Sequence, residues 1–175
     1  MEFEVPINQL SAAVEFGKRC TLLEIVCSSG SHATSSKIKE IDYSRLEFKR
    51  KNAYVFEEKS NILSTSVALS LVYKEKKKEI FNISAVFTLE YRLNTNSPPE
   101  ELRELFFGSF SELSTTHHCW PYWREYLDSM CRRMGLPAVV TPLIHFVPKK
   151  SPGDKKLSTG KVKQKELKSS LEKEH

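Results

Sequence analysis

The chain has 175 residues, 39% of them hydrophobic and 28% charged, with six glycines and a formal net charge of +5. That length can bury a core without disulfides or metal, and the scarcity of glycine argues against phosphate-cradling and collagen-like designs. The charge is also localised: from Lys149 onward nine lysines face four acidic residues, which accounts for the whole excess and leaves residues 1–148 neutral, with 18 of each sign.

The division this predicts is an N-terminal helical extension and linker at 1–36, one folded domain at 37–148, and a lysine-rich tail at 149–175. A basic tail on a neutral body reads as a solvated, disordered extension, with an anchor for an acidic partner or RNA as the alternative. Cys20, Cys27, Cys119 and Cys131 form no C-x-x-C pair, so reduced thiols in a cytoplasmic protein are expected. The first 30 residues lack a basic leader, and the apolar run 21–27 is cut by Glu24, so neither a signal peptide nor membrane insertion is expected.

In chain order, Ile7, Leu10, Ala13 and Val14 recur at helical spacing and predict an amphipathic helix that reaches Phe16 or continues towards Val26. Residues 28–36, rich in Ser and Gly, read as a linker. Two strand candidates follow at 38–50 and 53–63. The clearest periodicity comes next: Val67, Leu69, Leu71 and Tyr73 alternate with small or polar residues, and Phe81 to Leu93 do the same, which predicts a long antiparallel hairpin with one apolar face. Its tip, 74–79, has no Gly or Asn to set a primed turn, and its lysines read as guards against edge pairing.

Ser97-Pro98-Pro99-Glu100 reads as a capping box opening a short helix that ends near Gly108. A second helix is expected from Pro121 to Gly135, with Trp123, Leu127, Met130 and Met134 along one face. Residues 138–148 are apolar and proline-interrupted, so an extended surface arm is expected. Strands followed by helices indicate an α+β fold, with helices on one face of a four-stranded antiparallel sheet.

The stretch His118-Cys119-Trp120-Pro121-Tyr122-Trp123, continuing to Ser129-Met130 and Gly135-Leu136-Pro137, is similar to the SecB protein-export chaperone family, including its divergent members associated with toxin-antitoxin systems. Thr141-Pro142-Leu143-Ile144-His145-Phe146 resembles that family's trailing Leu-x-x-Pro-x-x-Phe element, and Phe81 to Leu89 its last strand. The resemblance spans roughly residues 38–146. It implies a Greek-key sheet, a long helix that assembles a homotetrameric dimer of dimers, and hydrophobic grooves that hold unfolded or precursor polypeptides for translocation, or an antitoxin. It implies neither ATP, nor a metal, nor any other cofactor. The family's better-known members dock the SecA motor through carboxylates on the outer sheet face. Here the last strand offers Asn82, Ser84 and Thr88 instead, which counts against SecA.

The expected client-binding residues are Leu69, Leu71, Phe81 and Phe87 on the sheet and Phe106, Phe107, Phe110, Trp120 and Tyr122 on the helical side, with ordinary core packing as the alternative for each. Trp123, Tyr126 and Met130 are the expected oligomer interface.

No catalysis is expected: Cys119 and Cys131 lack a nucleophile signature, and no nucleotide-binding glycine motif is present. The adjacent His117 and His118 with Cys119 lack zinc spacing. Two rival readings remain, a module dedicated to a single protein partner and a nucleic-acid binder using the basic tail. The second is disfavoured because the body is neutral.

Overall fold

The computed structural model describes residues 2–35 and 38–149. In chain order these form β1 (Glu2–Val5), α1 (Ile7–Gly17), β2 (Cys20–Thr34), a 3-10 turn (Tyr43–Arg45), β3 (Leu46–Glu57), β4 (Ile62–Glu75) and β5 (Lys78–Leu93). Then come α2 (Glu100–Arg103), two π-helical segments (Glu104–Gly108 and Ser111–Thr115), α3 (Thr116–Arg133) and β6 (His145–Pro148). The expected tail beyond Lys149 lies outside the described residues.

The protein is α+β, built on a four-stranded antiparallel sheet in the order β2-β5-β4-β3. Three strands joined by hairpins, with the first returning beside the last, make a Greek key. The alternation in β4 and β5 arises because only one sheet face is covered: Leu63, Val67, Leu69, Leu71, Ile83, Phe87 and Leu89 all point under the helices and are buried. Each such side chain stabilises the fold by roughly 1.5–3 kcal/mol relative to leaving it in water.

The hairpin between β4 and β5 turns on Lys76 and Lys77, both with positive φ (47° and 71°), the signature of a primed turn despite the absence of Gly and Asn.

Several expectations are corrected. The segment 28–36, expected as a linker, falls largely within a strand, because β2 runs to Thr34 and pairs with β5 along its length. Its serines supply a hydroxyl ladder instead of an apolar one: Ser31 Oγ lies 2.8 Å from Ser84 Oγ, and the Thr88 hydroxyl donates to Ser28 Oγ at 3.2 Å. The opening helix stops at Gly17 and does not continue towards Val26. Nor are residues 1–36 an appendage, since α1 inserts Phe16 (1% exposed) into the main core and β2 is a strand of the main sheet. The candidates at 38–50 and 53–63 merge into the single strand β3 with the start of β4, so the sheet reaches four strands through β2.

The two expected helices are one unbroken helical run from Glu100 to Arg133, and Pro121 lies inside it, not at its start. Ser97 forms no cap; its hydroxyl accepts from Arg103 instead, at 3.2 Å. The C-terminal arm is extended as expected, and its end, β6, pairs in parallel with β1. Trp120 Nε1–H pins the arm through Pro142 O at 3.1 Å.

Candidate functional site

Burial decides which of the expected client contacts are available. Leu69, Leu71, Phe81 and Phe87 lie on the covered sheet face at 1–4% exposure, and Phe107, Phe110 and Trp120 are equally buried. These seven are packed within the chain, and of them Leu69, Phe87 and Phe110 also line clefts that open to the surface. Phe106, Phe107 and Phe110 gather around Phe16, whose ring centroid lies 6.4, 5.1 and 5.1 Å from theirs. Three phenylalanines in five residues exceed what one helix buries alone, and α1 supplies the missing cover.

Two of the three residues expected at the oligomer interface are likewise buried in their own chain. Trp123 and Met130 face the sheet of their own chain and are buried, and Tyr126 is half-buried beside them, stacked on Trp123 at 6.1 Å.

A cleft of about 360 Å³ opens between β2 and the C-terminal half of the long helix, lined by Ile25, Cys27, Phe87, Tyr122, Tyr126 and Met130, with Glu125, Ser129 and Arg133 at its margin. Two expected client residues, Phe87 and Tyr122, and two expected interface residues, Tyr126 and Met130, therefore meet in one apolar groove. Tyr122 is 49% exposed, and Leu22, Leu23 and Val26 add apolar surface along the same strand. Burial raises the Tyr126 phenol above its ordinary pKa and keeps it neutral.

Gly30 of β2 permits the close approach of the Tyr126 ring, since a Cβ there would lie 2.8 Å from the phenol Cζ. Ile25, Cys27 and Gly30 were missed by sequence reasoning because they fall in the segment assigned to helix and linker. Their one signal was the β-branched Thr21, Ile25 and Val26 ahead of the serines.

The strand that borders this groove is an edge of the main sheet. Between Ile25 and Thr34 it carries no charged residue, His32 being its only titratable side chain besides Cys27. The opposite edge, β3, presents Glu47, Lys49, Lys51 and Glu57 to solvent. Charges on an exposed edge discourage strand addition, so the two edges differ: β3 is charged along its length, whereas β2 beyond its second bulge, from Ser29 to Thr34, carries no charge.

Burial pushes the pKa of the Cys20 thiol up to about 11 and that of Cys119 up to about 12, and raises Cys131 as well. Among the described residues no cluster of three His, Cys, Asp or Glu is placed to hold a metal ion, and no helix is long and apolar enough to cross a membrane.

Neither family models nor curated proteins match this chain by sequence. Solved structures do. The SecB-like chaperone Rv1957 of Mycobacterium tuberculosis, in complex with a ChAD peptide from the Rv1956 HigA1 antitoxin, superposes with a TM-score of 0.67 at 11% identity, over 79% of this chain and 97% of that one. The fold is SecB-like. A protein of unknown function from Streptococcus agalactiae also aligns, with a TM-score of 0.43 at 11% identity over 71% and 97% of the two chains, too distant to support an inference.

Proposed function

We propose that this SecB-like chain is an ATP-independent holdase that takes extended, non-native polypeptide, a precursor or an antitoxin, into the groove beside β2. The observation that carries the reading is the coincidence of an uncharged stretch of sheet edge with an apolar cleft at its foot. An extended chain added to β2 would satisfy its main-chain groups on the strand while placing alternate side chains in the cleft. One large apolar side chain buried there contributes roughly 1.5–3 kcal/mol, so each contact is weak and holding depends on several sites engaging one client. Such binding needs no nucleotide, no cofactor and no catalytic group, and it fits work in the cytoplasm.

A homo-oligomer, a dimer of dimers by resemblance, belongs to the same proposal. With Trp123 buried in its own chain and Tyr126 and Met130 lining the groove, the interface we propose lies on the outward side of the long helix, where Pro121 and Arg124 are exposed. SecA docking is not part of the reading: the outer face of β5 presents Asn82, Ser84 and Thr88, with Glu90 as its one carboxylate.

The test is light scattering from a refolding, aggregation-prone protein without nucleotide, with the chaperone at sub-stoichiometric and equimolar ratios. Suppression that saturates near one oligomer per client supports the holdase. A second reading, one dedicated peptide partner, is favoured by the structural neighbour having been solved with a single antitoxin peptide. Absence of suppression at every ratio would select it.

A further inference from the structure

At the opposite edge of the sheet a second cavity, of about 660 Å³, opens between β3, the start of α1 and the π-helical segments. Its lining is polar and includes Gln9, Arg50, Tyr54, Glu101, Glu104 and Glu112. Arg50 pairs with Glu112 at 2.9 Å, with its side chain 14% exposed. Glu104 accepts from the Tyr54 hydroxyl, and Glu101 faces solvent without an ion pair among the described residues. The cavity therefore holds two carboxylates, Glu101 and Glu104, whose charge no ion pair among the described residues offsets. It offers an extended apolar client little, but it is well suited to ammonium groups.

The path of the chain brings such groups to it. The Phe146 ring of β6 lies over the Arg50 guanidinium, 5.5 Å from centroid to Cζ, and the Lys149 N–H donates to Val5 O at 2.8 Å. Val5 stands two residues before α1, whose first turn contributes Gln9 to the cavity. The described chain thus ends close to the cavity, and residues 150–175 carry eight lysines against four acidic residues.

We propose that the cavity beside β3 is the docking site of the protein's own lysine-rich segment, residues 150–175. Three facts support it: the segment starts beside the cavity, its charge complements the two open carboxylates, and 26 residues reach as far as about 85 Å when extended, so length does not restrict which lysines engage. Tethering places those lysines at an effective concentration of roughly millimolar, and because a single exposed ion pair is weak, docking requires several lysines to engage the cavity together. The cavity lies at the β3 edge and the apolar groove at the β2 edge, so docking leaves the groove free. The proposal stands independently of the holdase reading.

The experiment is zero-length carbodiimide cross-linking of the full chain, mixed with an isotopically labelled copy so that links within and between chains are separable by mass. Links within one chain from lysines 150–175 should favour Glu101 and Glu104 over Glu57 and Glu90 by about tenfold, as tethered proximity requires, and should fall away at high salt, where the Debye length shrinks to roughly 3 Å. An even spread over all carboxylates, links only between chains, or no links from the segment would each overturn the proposal.

A second readout uses reductively 13C-methylated lysines. Tail signals should shift between the wild-type chain and the E101Q/E104Q double variant, and signals that do not move contradict docking.

Discussion

Tyr126 lays its phenol against the Cα of Gly30, bridging the long helix and the β2 edge at the foot of the apolar groove, where an added methyl group would overlap the ring. Tyr126 is also stacked on the fully buried Trp123, which limits how far it can withdraw. Gly30→Ala should therefore destabilise the protein by about 1–3 kcal/mol through overpacking. Chemical denaturation measures this. In a Tyr126→Leu background, where the side chain stops short of the strand, the same change should cost much less, and equal costs in both backgrounds would show that the contact is not the cause.

Tyr122 and Phe107 should separate client binding from folding. Tyr122 is half-exposed on the groove's rim, so Tyr122→Ser should leave the unfolding midpoint nearly unchanged while weakening peptide affinity by about 1–2 kcal/mol, or roughly 5- to 30-fold. Phe107 sits among Phe16, Tyr54 and Phe56, and Phe107→Ala should cost about 3–5 kcal/mol of stability. Titration of a fluorescent peptide beside urea unfolding distinguishes the two variants.

The turn at Lys76 and Lys77 holds two side-chain-bearing residues in the left-handed region. Replacing the pair with Asn-Gly should stabilise the hairpin by on the order of 1 kcal/mol, the relief of backbone strain being partly offset by glycine's entropy. A rise in the midpoint of thermal unfolding checks it.

A pH dependence arises from His118. Its Nδ1 lies 2.8 Å from the Tyr91 hydroxyl, and burial, with His117 adding a smaller effect, depresses its folded-state pKa below the ordinary 6.5. Between 6.5 and that lower value the unfolded chain binds a proton that the folded chain refuses, so this contribution is fully present above 6.5 and is lost as the pH falls through that window. His118→Gln should flatten the acid limb of stability as the pH falls below 6.5. Denaturation midpoints measured across that range, unchanged in slope, would count against it.

How much of this was legible in the sequence depends on burial. In β4 and β5 one face is largely covered and the other is not, so a two-residue alternation runs through Val67 to Tyr73, broken only at the buried Val72, and through Phe81 to Leu93. In β2 the strand is at an edge, most residues are exposed, and bulges between Leu22 and Glu24 and between Cys27 and Ser29 break the period, so no alternation survives to be read. The groove was hidden with it, because half of its wall is β2. Residue type drew attention to Tyr122, Tyr126 and Met130, but only the fold shows that these meet Ile25 and Cys27 and that Trp123 does not face outward.

Cys27 offers the most direct measurement. It is an exposed thiol in the groove, whereas Cys119 and Cys131 are buried and Cys20 is half-buried. Its alkylation rate in the intact protein can be followed by mass spectrometry with and without a saturating unfolded client. The account predicts that Cys27 reacts first in the free protein and is protected, by about tenfold or more, when client occupies the groove. Suppression of client aggregation with no change in the rate at Cys27 would contradict it, since the client would then be held elsewhere.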